Sequence, residues 1–363
     1  LLILEDFARS VSFDPVEIDK ERGVILEEWR LGLGADERLH NAQFPLLLKG
    51  SRHADRLPIG KPEIIRNVNR DRLKQFYTEW YRPDLMAVVV VGDINKAMIE
   101  AQIKSHFGSI PAPVSPRPRP SFTVPDQPGT TYSVLTDPET TNTRISATST
   151  MKAREQMSIG SYRQHMVEQL FGAMLSARLV EIAQAPNAPF LRAQTDRSRF
   201  VSTIEVTGLD ALVAKAGVER GLTALFTEVA RVARFGFTEG ELGRMKLNLQ
   251  RGLERAVVEK DKSPSGPLAD EFIRNFIQEE PIPGIVYEYG LNQRFLPEIT
   301  LAEVNAVAKN RMPERNRLVA ISAPESDKAS LPNDVKLAGL ISTTNGDGLT
   351  AYVDTASNKP LLA

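Results

Sequence analysis

The 363-residue chain contains no cysteine. That absence removes disulfides, thiolate nucleophiles and cysteine-based zinc sites together. Histidine is scarce, with four in all, and neither His40 nor His53 has a histidine three or four residues away. No apolar run approaches the roughly 18–20 residues that cross a bilayer. Charge of one sign is also lacking: the formal net charge is −1, which gives no reason to expect nucleic acid or an anionic membrane as a partner. No Gly-x-Ser-x-Gly elbow occurs, so a serine hydrolase has no support. Neither a Gly-x-x-x-x-Gly-Lys-Ser/Thr loop nor a Gly-x-Gly-x-x-Gly turn is present to cradle nucleotide phosphates. What remains is a composition of 42% hydrophobic and 25% charged residues, that of a soluble globular protein long enough for two domains.

The most informative stretch runs from Ser12 to Arg30. Asp14 stands at an N-cap position, Pro15 at the first helical position, and acidic residues follow in the first turn. At 3.6 residues per turn, Glu21 and Glu28 lie two turns apart on one stripe, with Glu17 one turn further back. Two stacked carboxylates can bind and orient a cation if the stripe faces a cleft, and are solvated charges if it faces water.

Glu21-Arg22-x-Val24-Ile25-x-x-Glu28, preceded by Asp14-Pro15-x-x-Ile18, resembles the distal zinc-ligand segment of the insulinase/pitrilysin (M16) family of zinc peptidases. Residues 64–68 and 73–77, then Tyr81-Arg82-Pro83 and the apolar run 86–92, resemble that family's helix, Tyr-x-Pro turn and buried strand. Arg56-Leu57-Pro58-Ile59-Gly60 is similar to the large bacterial periplasmic members, which implies a periplasmic location. The resemblance implies zinc as cofactor, Glu28 as the third protein ligand and Glu21 as a supporting carboxylate. Glu27 lies about 100° away around the helix and is not expected to serve. It further implies peptide or unfolded polypeptide substrates, enclosed in a chamber with a second M16-like half supplied in cis or by another chain.

Family members carry His-x-x-Glu-His upstream of the distal carboxylate, supplying two ligands and the general base. That motif is absent, only 27 residues precede Glu28, and the chain opens at Leu1 rather than Met. The expectation is therefore a fragment of a zinc metalloendopeptidase that is inactive as it stands. The alternative is a non-catalytic M16-like binding or assembly subunit. His165-Met166-Val167-Glu168-Gln169 is a near-miss: Gln replaces the second His, and Val167, Leu170 and Phe171 around it read as a core stripe.

Seven prolines between residues 111 and 128 read as an extended linker. The expected organisation is 1–110 as the carboxyl-terminal part of a catalytic module, 111–128 as linker, 129–325 as a second, non-catalytic module, and 326–363 as a connecting or tail segment. Residues 69–92 and 300–323 share the order helix, Pro turn, apolar strand, which suggests a duplication. The expected fold class is α+β: duplicated α/β sandwich modules with helices packed on a mainly antiparallel sheet. Strands are expected at 132–135, 143–149 and 200–206. Helices are expected at 155–183, 210–234 and 239–260, with capping boxes Thr238-x-x-Glu241 and Thr300-x-x-Glu303, and an apolar stripe Leu268, Phe272, Phe276 on the next. Arg117-Pro118-Arg119 is too short for nucleic-acid binding, His106 sits where it can favour a helix C-terminus, and Arg192, Arg197 and Arg199 read as a solvated loop.

Overall fold

A computed structural model describes residues 1–355. In chain order its helices are α1 (Leu2–Arg9), α2 (Pro15–Leu31), α3 (Ala35–Leu47), α4 (Pro62–Asn67), α5 (Arg70–Trp80) and α6 (Lys96–Phe107). After strands β1 (Thr130–Asp137) and β2 (Thr143–Lys152) come α7 (Ile159–Gln184), β3 (Arg192–Val201) and β4 (Ile204–Val213). Helices α8 (Val218–Phe235), α9 (Glu239–Val258), α10 (Ser265–Gln278), α11 (Ile285–Phe295) and α12 (Leu301–Val307) precede β5 (Arg317–Pro324) and α13 (Asp334–Ser342).

Two compact units emerge, one of residues 1–33, 55–122 and 261–282, the other of 34–54, 123–260 and 283–363. The second holds the sheet, in the order β1-β5-β2-β4-β3. Only β1 and β5 run parallel; the other neighbours are antiparallel. This is the expected α+β class. Residues alternate between faces along each strand. Ile145, Ala147, Leu209, Ala211, Val319 and Ile321 point into a buried core with Val167, Leu170, Phe171, Met174 and Leu175 of α7 and Leu222 and Leu225 of α8. Gly221 lets α8 close on the sheet, since a Cβ there would stand 2.5 Å from Val213 Cγ1 and 3.0 Å from Ile145 Cδ1. The opposite face carries α3, whose His40 and Phe44 line a cavity of about 230 Å³ with Arg144, Asp210 and Leu318.

Beneath the helices lies a buried charge cluster. Arg178 of α7, 2% exposed, donates from Nε to Glu241 Oε1 at 2.6 Å and from Nη2 to Oε2 at 2.9 Å. Its Nη1 donates to Glu228 Oε1 at 3.0 Å and its Nη2 to the Gly236 carbonyl at 3.2 Å. Glu241 simultaneously closes the expected capping box with Thr238, so one side chain starts α9 and holds α7 to it.

Several sequence expectations change. Residues 200–206 are no single strand: Ser202 and Thr203 form a tight turn between β3 and β4. Residues 210–213 finish β4 rather than starting a helix, and α8 begins only after Gly217. Helix α7 starts at Ile159, where Ser158 and Ser161 form a capping box, later than the expected 155. Part of the polar segment after 326 folds as α13, because Leu337 is fully buried. Arg192, Arg197 and Arg199 lie on β3, not in a loop.

The first unit is built differently. None of its described residues is a buried apolar side chain; only Glu5 and Arg82 are buried. Polar staples hold it instead: Glu5 with His106 at 2.6 Å, Arg9 with Ser109 at 3.2 Å, and the Tyr77 hydroxyl donating to the Phe7 carbonyl at 2.7 Å. The apolar run 86–92, expected as a buried strand, forms no strand and is at best half-buried. A strand needs a neighbour for its backbone groups, and the described residues of this unit form helices only. Leu268, Phe272 and Phe276 of α10 are likewise exposed.

Two measurements follow from the second unit. Arg178→Met strands two buried carboxylates and is expected to cost about 3–5 kcal/mol, seen as a lower urea midpoint by far-UV circular dichroism. Adding Glu228→Gln and Glu241→Gln should recover most of it, and an unchanged midpoint in the single variant would refute the cluster's role. Glu303 is held down to about 2 by Arg163, whose Nη1 donates at 2.6 Å, and by the Thr300 backbone N–H. A carboxyl whose folded pKa is depressed contributes stability above its ordinary 4.5 and loses it as pH falls toward about 2. Glu303→Gln should therefore flatten the stability–pH curve in that window; an equally steep loss would contradict the assignment.

Candidate metal centre

The Asp14 side chain accepts from the N–H groups of Val16 at 2.8 Å and Glu17 at 3.3 Å, starting α2 as the sequence predicts. Ile18, Arg22, Ile25, Leu26 and Trp29 form its half-buried face. Arg22 fixes the rotation of the helix. Its guanidinium donates to the carbonyls of Ile65 and Val68, both at 2.5 Å, at the end of α4, while Asp19 pairs with it at 3.1 Å.

That rotation places Glu17, Glu21, Val24, Glu28 and Leu31 on one exposed stripe. Glu17 is engaged by Lys20 at 2.6 Å. Glu27 is taken up by Arg30 through bonds of 2.6 and 2.9 Å, which hold its carboxyl below the usual range. Among the described residues, Glu21 and Glu28 make no side-chain hydrogen bond or ion pair. Val24, between the two carboxylates, is 58% exposed and Leu31, beside them, 69%.

A catalytic zinc takes three protein ligands and keeps one position open. Among the described residues no three His, Cys, Asp or Glu side chains come together in a way that could hold a metal. The two carboxylates present therefore do not fit zinc by themselves, and no hydrolytic step can be assigned to this chain alone. The other sequence candidates do not complete the set. His106 is tied to Glu5 in the last turn of α6. His40 lies on α3, in the second unit.

The near-miss around His165 is structural. Met166, Val167, Leu170 and Phe171 are buried core residues, and Glu168 pairs with Arg154 and, at 2.9 Å, with Arg197. Burial and Arg154 push the His165 imidazole below its ordinary pKa. Sequence reasoning missed this ionic cluster. The signal was the alternation of Arg197 and Arg199 along a strand, with Glu205 directly opposite Arg199 in the register.

The family described as Peptidase M16 inactive domain matches residues 67–249. A zinc protease PQQL-like protein of Arabidopsis thaliana is 30% identical over 84% of this chain and 29% of its own length. A probable zinc protease PqqL of Haemophilus influenzae is 27% identical over 92% of the chain and 36% of its own. The chain thus spans about a third of the length of these relatives. The first half of the periplasmic protease PqqL from Escherichia coli superposes with a TM-score of 0.90 at 22% identity, covering 97% of this chain and 76% of that one. Among the described residues no helix is long and apolar enough to cross a membrane. The chain belongs to the peptidase M16 family.

Proposed function

We propose that this chain is the part of a zinc-dependent M16 metalloendopeptidase that contributes the distal carboxylate ligand, Glu28, with Glu21 supporting it on the same stripe. The observation that carries this reading is the exposed face of α2. Two unpartnered carboxylates alternate there with exposed Val24 and Leu31, the pattern of a face that meets another polypeptide segment. The exposed apolar faces of the first unit and its run 86–92, which forms no strand, agree with it. The ligands and general base of the family's His-x-x-Glu-His motif would come from that segment, and the chain alone is inactive.

On this reading residues 1–110 belong to the catalytic module, 111–128 link it to a non-catalytic module at 129–325, and 326–363 are a connecting or tail segment, part of which folds as α13 and of which 356–363 lie outside the described residues. Substrates are peptides or unfolded polypeptides admitted to a chamber formed with a second M16-like half, in cis or on another chain. The Escherichia coli relative's description as periplasmic supports that compartment for this protein too. A second reading, a non-catalytic binding or assembly subunit, is favoured by the match to a domain described as inactive.

The deciding experiment uses the full-length gene product. Glu28→Gln should lose both bound zinc and peptide hydrolysis, and Glu27→Gln should keep both. Glu21→Gln should weaken zinc binding about 10–100-fold, as loss of a supporting group does. Zinc retained by Glu28→Gln would refute the ligand assignment. A full-length product with neither zinc nor hydrolysis would establish the second reading.

A further inference from the structure

In the second unit, α7 and the β3–β4 hairpin enclose an ionic cluster with more arginines than carboxylates. Arg154 and Arg197 share Glu168 and Glu205: Arg154 Nε stands 3.1 Å from Glu205, and Arg197 stands 2.8 Å from Glu205 and 2.9 Å from Glu168. Two cations and two anions balance there. Two further arginines have only neutral acceptors. Arg199 donates to the carbonyls of Ser202 at 3.2 Å and Arg154 at 3.0 Å. Arg311 donates from Nη2 to Thr195 Oγ1 at 3.0 Å and to the Asp196 carbonyl at 2.7 Å. The Nε of each is buried with no acceptor among the described residues.

Arg311 is the sharper case, because it is only 5% exposed. Burying a cation with no carboxylate in hydrogen-bond reach is costly. Burial, then the repulsion of Arg197, brings its pKa down to about 10 against the weaker attraction of Asp196 and Glu168. The same side chain lines a cavity of about 450 Å³, whose wall also includes Met151, Val167, Glu168, Arg197 and Glu303. That volume lies within the range of small-ligand sites.

We propose that this cavity binds a carboxylate, with Arg311 as the anchoring cation. With both Nη2 hydrogens taken by Thr195 and the Asp196 carbonyl, Nη1 is left to donate a charge-assisted hydrogen bond to a carboxylate oxygen. Glu168 and Glu303 in the same wall disfavour a doubly charged anion such as phosphate, while both are already paired, with Arg197 and Arg163, and leave Arg311 to accommodate a monoanion. Apolar Met151 and Val167 leave room for a short hydrocarbon or peptide end attached to it. The site lies in the second unit and does not depend on the peptidase reading.

Isothermal titration of the 363-residue chain with N-acetylalanine, its amide and inorganic phosphate tests this. The acid should bind at least about tenfold more tightly than the amide, the ratio expected when one charge-assisted pairing is lost, and more tightly than phosphate. Arg311→Gln should abolish the preference for the acid. Equal binding of acid and amide, tighter binding of phosphate, or an unchanged preference in Arg311→Gln would each overturn the proposal. The acid-to-amide ratio in the unmodified chain decides even if the variant does not fold.

Discussion

The second unit is organised around one buried cation. Arg178 reaches from α7 to carboxylates on α8 and α9 and to the carbonyl that ends α8. Three helices are therefore indexed to one another by a planar group with fixed donor directions. Apolar packing alone tolerates rotation and sliding of helices; a bidentate guanidinium does not. The aromatic rings of Phe237 and Tyr352 lie 4.8 and 4.1 Å from that guanidinium, and Arg244 holds the Tyr352 segment in place through Asp354 at 3.0 Å. Residues 352–354 thereby help to shield the cluster from water.

The first unit shows what happens where that kind of core is absent. Helices α2, α5 and α6 start at side-chain caps and helices of the unit are joined by side chain-to-carbonyl bonds, yet they leave large apolar residues in contact with solvent. Such a layer is specified in geometry but incomplete in energy, because polar staples near water contribute little net stability. The chain belongs to the M16 family, and the relatives it matches are about three times longer. Glu21 and Glu28 sit on this layer.

Much of this was legible in the sequence where local chemistry dominates. Asp14 and Pro15 announced α2, and the Thr238 and Thr300 boxes announced α9 and α12, since a cap is satisfied within four residues. The Glu21/Glu28 stripe was legible too, but not its exposure, which depends on Arg22 reaching carbonyls more than forty residues away. The β3–β4 hairpin was missed because Ser202-Thr203 has neither the Gly nor the Asn that normally marks a tight turn. The buried ionic cluster was missed for a related reason. Alternating arginines read as solvated until their cross-strand carboxylates are seen.

The parallel pairing of β1 with β5 sets a constraint in time rather than in space. Thr130 and Arg317 are register partners 187 residues apart, so the sheet cannot close until nearly the whole second unit has left the ribosome. The β3–β4 hairpin can pair early, and β2 can add to β4, but the edge of β2 that β5 will occupy stays open throughout synthesis. A non-local closure of this kind is slow and leaves an unpaired strand available to other chains while it waits. During synthesis, then, the vulnerable surface of this protein is the vacant place in the middle of its sheet.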